Sequence, residues 1–289
     1  MEYRDDVRDN DALRASFNNL TRRTFGFDFS DWYDSGWWSA EHTAYTPHVL
    51  VSGGRVEANV SATAILFTVD GAPLRTLQLG TVMTAPEQRG RGMQRRLMEH
   101  VLEKAADYDL VYLYANETVT EFYPRFGFVP AVEYAFSCPM PADGPFSAVP
   151  ADAGDPAGLR KLLALRQQGN PFSAIEMPGE TGLFMFYCSG FLRDCVYFID
   201  ELNAAAVAEL DEGTLLLHDV FCPEGTPLED VLSALALPGA KRVTLGFTPK
   251  DPSGMLCEPI VEDGGLFILQ GGKNPFAGRK MRLPTLFHT

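Results

Sequence analysis

The sequence predicts a mixed α/β protein of two domains, on three observations. Its 289 residues amount to about two average domains, because a single hydrophobic core rarely grows beyond roughly 250 to 300 residues. A strand, a turn, a helix and a second strand follow one another over residues 76–115, the order typical of a βαβ unit with a parallel strand pair. A stretch rich in Pro, Ala and Gly at residues 139–156 predicts a linker. We therefore expect one domain at residues 1–145 and a smaller one at 146–289.

The first half alternates between helical and strand patterns. Leu13, Phe17 and Leu20 recur at helical spacing behind N-cap candidates, and so predict an amphipathic helix. From Arg91 onward apolar residues recur every fourth position, which predicts a helix packed on a sheet. The predicted elements are a helix at 9–25, an aromatic stretch at 27–38, a hairpin at 48–51 and 56–69, a strand at 76–83, a helix from residue 91 and a strand at 110–115.

The second half repeats this order in a weaker form. Its predicted elements are a helix at 159–167, strands at 195–199, 204–209 and 215–221, a helix at 228–237, and strands at 243–247 and 266–269. A loop rich in glycine and arginine follows the corresponding strand in the first half, but residues 222–227 replace it with Cys-Pro-Glu-Gly-Thr-Pro. We interpret the second half as a degenerate repeat that has lost cofactor binding.

Composition and charge narrow the classes of partner. With 24 Lys and Arg against 38 Asp and Glu, the net charge of -14 disfavours nucleic acids and anionic membranes and favours a cationic or neutral small substrate. The sequence has no secretory signal pattern at its start and no run of ~18 apolar residues, so we expect a cytoplasmic protein without membrane partners. Five cysteines without a C-x-x-C pair predict neither a disulfide framework nor a metal site.

The loop Gln88-Arg89-Gly90-Arg91-Gly92-Met93-Gln94 carries the clearest chemical signal. It follows a predicted strand and opens a predicted helix, whose first backbone N–H groups have no intrahelical acceptor and therefore attract anions. Glycines allow a tight backbone turn and a close approach to a ligand. Arg89, Arg91, Arg95 and Arg96 concentrate positive charge in an otherwise acidic chain. The loop therefore predicts a phosphate site.

These residues resemble the Q/R-x-x-G-x-G/A loop of the GCN5-related N-acetyltransferase (GNAT) superfamily. Arg89 takes the first position and Gly92 the central glycine, whereas Gln94 stands where the family usually has Gly or Ala. A second segment is similar to the family's asparagine followed seven residues later by a tyrosine, with Asn116 and Tyr123 at these two positions. The resemblance covers about residues 1–137, and the two-part arrangement is similar to the bacterial enhanced-intracellular-survival acetyltransferases.

The resemblance implies a GNAT fold, acetyl-CoA as cofactor and a role for each matching residue. Backbone groups at Val82, Met83 and Thr84 are expected to pair with the pantetheine arm, and Asn116 to contact it. Tyr123 is expected to protonate the departing thiolate, a task that needs a weak O–H acid near the sulfur. The residues expected to hold the pyrophosphate and the 3′-phosphate are Arg89, Gly90, Arg91, Gly92, Met93, Gln94 and Arg95.

Two functions follow from these expectations. The first is an acetyl-CoA-dependent N-acetyltransferase, in which a primary amine of a small molecule or peptide attacks the thioester directly. The alternative is a non-catalytic acyl-CoA-binding sensor or scaffold, which Gln94 and the lack of an evident base favour. A homo-oligomer is compatible with either function.

The general base stays open at this point. Residues 77–79 on the strand before the loop provide no carboxylate. Glu41 or His42 acting through water, and His288 or the chain's terminal carboxylate, are alternatives. In the last case the apolar tail enters the active site opposite an aromatic wall at residues 32–38, and the faces of the tryptophans attract an ammonium group.

Overall fold

The computed structural model describes residues 1–151, 155–261 and 264–288 and shows two mixed β-sheets with helices on their faces. The helices are α1 Asp11–Phe25, α2 Ser30–Asp34, α3 Met93–Leu102, α4 Pro156–Arg166, α5 Thr181–Phe186 and α6 Leu228–Ala234. The strands are β1 Glu2–Arg4, β2 Thr46–Ser52, β3 Arg55–Val69, β4 Ala72–Thr84, β5 Leu110–Ala115, β6 Phe128–Pro130, β7 Tyr134–Pro139, β8 Val149–Pro150, β9 Ile175–Glu176, β10 Val196–Ile199, β11 Ala204–Asp211, β12 Thr214–Phe221, β13 Arg242–Leu245, β14 Leu256–Pro259 and β15 Gly265–Leu269.

The first sheet has the strand order β1-β2-β3-β4-β5-β15-β6, and β9 pairs with β3 beside this path. Strands β4 and β5 are parallel and are joined through α3, which confirms the predicted βαβ unit. Helices α1 and α3 cover opposite faces of the sheet: Phe17 of α1 belongs to one apolar cluster and Leu97 of α3 to another. The two faces of the first sheet are therefore covered by different helices.

Helix α1 shows how the local sequence sets its bounds. The side chain of Asn10 accepts a hydrogen bond from the backbone N–H of Leu13 at 3.1 Å, which satisfies one of the unpaired amides at the helix start. Gly26 ends the helix with a left-handed φ of 83°, a conformation that glycine adopts without strain. The helix therefore begins within the predicted N-cap region and ends where it was predicted to end.

The second sheet has the order β14-β7-β13-β12-β11-β10-β8 and repeats the first in its central part. Strands β10, β11 and β12 are antiparallel neighbours, and β12 is parallel to β13 with α6 between them in the chain. This arrangement confirms that the second half repeats the α+β order of the first, and the loss of cofactor binding stays a prediction. Helix α5 and strand β14 were not among the predicted elements.

The two sheets exchange strands. Strand β7 precedes residue 145 but pairs with β13 and β14 in the second sheet. Strand β15 comes from the second half but lies between β5 and β6 in the first sheet. The domain boundary near residue 145 stays a prediction, and the division between the sheets does not follow it.

The last residues of the chain fill a gap in the second sheet. The pairing of β12 with β13 ends at Leu217 and Leu245, where the backbone N–H of Gly246 donates to the carbonyl of Leu217 at 2.7 Å. There the backbone N–H of Thr285 donates to the carbonyl of Gly246 at 2.9 Å, and its hydroxyl contacts Nδ1 of His218 at 3.0 Å. A Cβ on residue 246 would lie 2.5 Å from the Thr285 hydroxyl, so this packing requires glycine.

None of the helices in the described ranges is long and apolar enough to cross a membrane. Across the same ranges no three His, Cys, Asp or Glu side chains cluster in a way that could hold a metal ion.

Candidate active site

The site begins where β4 separates from β5. Their parallel pairing runs from Thr76 and Leu110 to Leu79 and Leu113 and then stops. Just beyond, β4 carries an extra residue relative to β3, and Thr81 has a left-handed φ of 47°. Such a bulge bends the strand and leaves its backbone groups unpaired on one side. A gap therefore opens between the ends of β4 and β5.

A buried hydrogen-bond network holds the bulge. The hydroxyl of Tyr45 lies 2.8 Å from that of Thr81 and accepts a hydrogen bond from Ser61 at 2.8 Å. The side-chain amide of Asn59 donates to the carbonyl of Thr81 at 2.7 Å. Burial raises the pKa of Tyr45 above its ordinary value, so this hydroxyl stays protonated. The strained conformation of Thr81 is thus held by Tyr45, from the segment before β2, and by Asn59 and Ser61 of β3.

The loop at residues 86–92 presents its backbone to an open space. Gly90 and Gly92 have φ values of 76° and 74°, and no atom lies within 4 Å of a Cβ built on either residue. Gly92 precedes the first residue of α3 and no side chain caps this helix end. The first amides of α3 are therefore available to an anion, as the sequence predicts.

Gln94 departs from the family pattern without blocking this helix end. Its side-chain amide donates to the carbonyl of Asn59 at 3.1 Å and also to the carbonyl of Met83. The side chain therefore lies against β3 and β4, and it ties the start of α3 to the bulged strand.

A cavity of about 1220 Å³ joins the loop to the gap. Its lining comes from both faces of the first sheet, so the cavity passes through the sheet where β4 and β5 separate. The structure brings all of the predicted site residues to this cavity: Val82, Met83, Thr84, Arg89, Gly90, Arg91, Gly92, Met93, Gln94, Arg95, Asn116 and Tyr123. Their individual roles stay predictions.

Tyr123 lies in a helical turn at residues 123–126 and is 4% exposed. Its ring packs against Phe122, Phe128 and Phe267 at centroid distances of 5.4, 6.3 and 6.1 Å. Burial raises the pKa of Tyr123 to about 12, so its hydroxyl is protonated at neutral pH. Within the described ranges the hydroxyl has no hydrogen-bond partner. A protonated donor therefore stands beside the gap.

The end of the chain enters the same cavity. His288 lines it, and its imidazole stacks on Tyr114 with 3.8 Å between ring centroids. The hydroxyl of Tyr187 donates to the carbonyl of His288, and Phe287 before it is buried. Burial, with Arg282 and His218 nearby, lowers the pKa of His288 to about 3, so the ring is neutral. The terminal carboxylate belongs to Thr289, which lies outside the described residues.

The predicted aromatic wall is only partly present. Trp32 lines the cavity, but Trp37 and Trp38 do not. Trp38 is 1% exposed and stacks on Trp32 within the core. The expectation that the faces of Trp37 and Trp38 meet an ammonium group is therefore wrong. Glu41 and His42 are also absent from the lining, which gives the water relay from these residues no support.

Sequence reasoning missed one wall of the cavity. It is formed by α5 and the π-helical turn after it, through Leu183, Phe186, Tyr187 and Phe191. These residues come from the second half, far in sequence from the predicted motifs. The run Phe184-Met185-Phe186-Tyr187 is an apolar aromatic cluster that could have marked the segment, but nothing in it indicates which site it faces.

Comparisons with known proteins agree with this geometry. Residues 10–131 match the family model of the acetyltransferase (GNAT) domain. A probable N-acyltransferase from Enterococcus faecalis is 14% identical with a TM-score of 0.60, covering 92% of this chain and 72% of that one. A GCN5-related N-acetyltransferase from Kribbella flavida is 18% identical with a TM-score of 0.57 over 92% and 70% of the two chains.

Eis1 from Mycobacterium abscessus is 14% identical with a TM-score of 0.56, over 92% of this chain and 73% of that one. At these identities the likeness to solved structures concerns the fold. No functionally curated protein sequence matches the chain. Residues 10–131 are therefore an acetyltransferase domain of the GNAT superfamily, in a chain whose two-part fold is similar to that of Eis1 and the other two structures.

Proposed function

We propose that this chain transfers an acetyl group from acetyl-CoA to a primary amine of a small molecule or peptide. The observation that carries the proposal is the single cavity that connects the loop at residues 86–92 with the hydroxyl of Tyr123 and then continues through the gap between β4 and β5. In such a cavity the loop would bind the phosphates, the region beside Tyr123 would hold the thioester, and the space beyond the gap would admit the amine.

The residues present fit acetyl-CoA. The uncapped start of α3 and the open space at Gly90 and Gly92 suit a pyrophosphate, and Arg89, Arg91 and Arg95 add charge-assisted donors. Backbone groups of β4 beyond Leu79 have no partner on β5, so they suit an extended arm that adds like a strand. Asn116 lines the cavity at the end of β5 and suits a polar contact with that arm.

Bound acetyl-CoA would supply the acetyl group as a thioester. Transfer forms a carbon–nitrogen bond, breaks the carbon–sulfur bond, and moves one proton from the amine to the sulfur. Tyr123 donates its hydroxyl proton toward the sulfur, because its raised pKa keeps that proton in place at neutral pH. His288 is the candidate that receives a hydrogen bond from the amine, since Nε2 is buried without a partner in the described residues.

The alternative is a non-catalytic protein that binds an acyl-CoA as a sensor or scaffold. One observation favours it: among the described residues that line the cavity, Glu121 is the only carboxylate, and it lies on the Tyr123 side of the gap. Such a protein would bind acetyl-CoA but would release no thiol with any amine.

Thiol release and calorimetry on the full chain separate the two. We expect Tyr123→Phe to lower kcat by about 10²- to 10⁴-fold, the usual contribution of a general acid, with the Kd for acetyl-CoA unchanged. Tyr197→Phe, which also removes a partly buried hydroxyl but lies on β10 outside the cavity, should leave both quantities unchanged. Equal turnover of the Tyr123 variant and the parent would make this tyrosine structural, and absence of turnover in the parent would support the sensor.

A further inference from the structure

The far side of the cavity, beyond the gap, has aromatic walls from two distant parts of the chain. One wall follows α1 and reaches α2, and the other is α5 with the π-helical turn after it. The side chains of this aromatic site are Phe27, Phe29, Trp32, Phe186, Tyr187 and Phe191.

The rings of the aromatic site pack on one another in a defined arrangement. Phe186 lies 5.4 Å from Phe29 and 5.2 Å from Trp32 between ring centroids. Phe191 stands edge-on to Phe27 at 5.2 Å with an angle of 90°. Edge-to-face pairs such as that of Phe191 and Phe27 are among the geometries that aromatic rings prefer. A flat apolar group in the cavity would meet the outer surfaces of these packed rings.

The walls are fixed to each other by a polar contact. The indole N–H of Trp32 donates to the carbonyl of Gly182 at 2.8 Å. A Cβ at Gly182 would lie 2.5 Å from the carbonyl of Trp37, so only glycine allows α5 to approach so closely. The two walls are thus held in place before any ligand binds, which lowers the entropy lost on binding.

The mouth of the site leaves aromatic surface exposed. Phe191 is 59% exposed and Phe25, which also lines the cavity, is 38% exposed. Large apolar side chains grouped at the rim of a cavity commonly mark a ligand contact. This surface has the chemistry of a contact for an apolar acceptor.

Charge is segregated within the cavity. Among the described lining residues the charged side chains are Arg89, Arg91, Arg95, Glu121 and Arg125, and they lie on the loop and around Tyr123. The aromatic site has no carboxylate, although the whole chain has a net charge of -14. A ligand with several ammonium groups would lose hydration there without gaining an ion pair, which is unfavourable.

We propose that the acceptor is a monoamine carried on an aromatic ring or a similarly flat apolar body. This inference rests on the proposed acetyl transfer and names the substrate class for it. The apolar body lies against the cavity-facing sides of Phe27, Phe186 and Phe191, and the nitrogen points to the gap between β4 and β5. There Nε2 of His288, buried and without a hydrogen-bond partner in the described chain, accepts a hydrogen bond from the amine.

The test compares three primary amines that differ in the group attached to the nitrogen. We expect 2-phenylethylamine to have a kcat/KM at least about 10-fold above those of ethanolamine and spermidine, measured by thiol release. We also expect 2-phenylethylamine to show saturable binding to the chain without acetyl-CoA, followed by the fluorescence of the tryptophans, because Trp32 lines the site. Absence of this binding, or a preference for spermidine, would overturn the inference.

Variants of the rim make the test specific. Phe191→Ala should raise the KM for 2-phenylethylamine about 3- to 10-fold, the usual loss for one aromatic pair. Phe191→Tyr retains an aromatic ring at this position and should therefore keep the parent's KM. Leu256→Ala is the matched control, because Leu256 is 48% exposed and lies on β14 outside the cavity. An unchanged KM in Phe191→Ala would contradict the aromatic contact.

The proposed function fails in a different way from this inference. If calorimetry detects no acetyl-CoA binding, acetyl transfer itself is wrong. If acetyl-CoA binds and ethanolamine or spermidine is acetylated in preference to 2-phenylethylamine, acetyl transfer stands and only the aromatic acceptor is wrong.

Discussion

Replacing Gly92 distinguishes the backbone strain of the loop at residues 86–92 from its proposed contact with acetyl-CoA. Gly92 has φ 74°, and no atom of the chain lies within 4 Å of a Cβ built there. A Cβ at this position therefore meets only its chain neighbours, and the cost to folding expected from the backbone is that of the left-handed conformation, about 1–2 kcal/mol. For a chain of this size that cost lowers Tm by roughly 2 to 8 °C.

The effect on cofactor affinity should be much larger than this strain. The side chain of Gly92→Val fills the open space in which the pyrophosphate would approach the first amides of α3. Loss of two charge-assisted hydrogen bonds, at about 1.5–3 kcal/mol each, weakens binding by at least about 100-fold. We therefore expect calorimetry to detect acetyl-CoA binding to the parent and little or none to the variant.

Gly254→Val is the matched control. Gly254 has φ 76° and equally open space, but it does not line the cavity. Gly254→Val should lower Tm by the same few degrees as Gly92→Val and should keep the parent's affinity for acetyl-CoA. An unchanged Kd in Gly92→Val, or an equal loss in both variants, would refute the assignment of the loop.

Three further predictions concern Tyr123, the chain's end and the second half. Because burial raises the pKa of Tyr123 to about 12 and the hydroxyl donates only below that value, kcat with saturating acetyl-CoA should not fall between pH 7 and 10; a decline near pH 8.5 would contradict this protonation state. Deleting residues 285–289 should reduce turnover far more than acetyl-CoA affinity, and His288→Phe, which keeps a ring beside Tyr114, should do the same; full activity of either would remove the tail from the mechanism. A fragment ending near residue 145 should bind acetyl-CoA weakly or aggregate, because β5 and β6 lack the strand between them; a monomeric, fully active fragment in gel filtration and thiol release would show that the halves are independent.

The sequence predicted the parts of the fold that local patterns determine. Apolar spacing located α1 and α3, and the order of strand, loop and helix located the parallel pair of β4 and β5. The loop at residues 88–94 could be found because its glycines and arginines are concentrated between a strand and a helix, a pattern that predicts phosphate binding. Each of these features lies within one continuous stretch of the chain, the longest of which is residues 72–115.

Features that depend on distant contacts could not be predicted. Nothing in residues 265–269 indicates that β15 pairs with β5 and not with a strand of its own half. Trp32, Trp37 and Trp38 look alike in sequence, and only packing decides that Trp32 faces the cavity while Trp38 is enclosed. The wall formed by Phe186 and Phe191 was missed for the same reason, since Phe27, which both rings contact, precedes them by about 160 positions.

The exchange of strands also sets the order in which the molecule is assembled. The edge of β5 receives its neighbour only when residues 265–269 are available, about 150 residues after β5 itself. Long-range pairing of this kind slows folding, because the chain entropy of a large loop is lost before the contact forms. During synthesis β5 therefore remains an unpaired edge strand until β15 is made. In that state it can pair with a strand of another chain and aggregate. We expect slow refolding from denaturant and a yield that falls as the protein concentration rises.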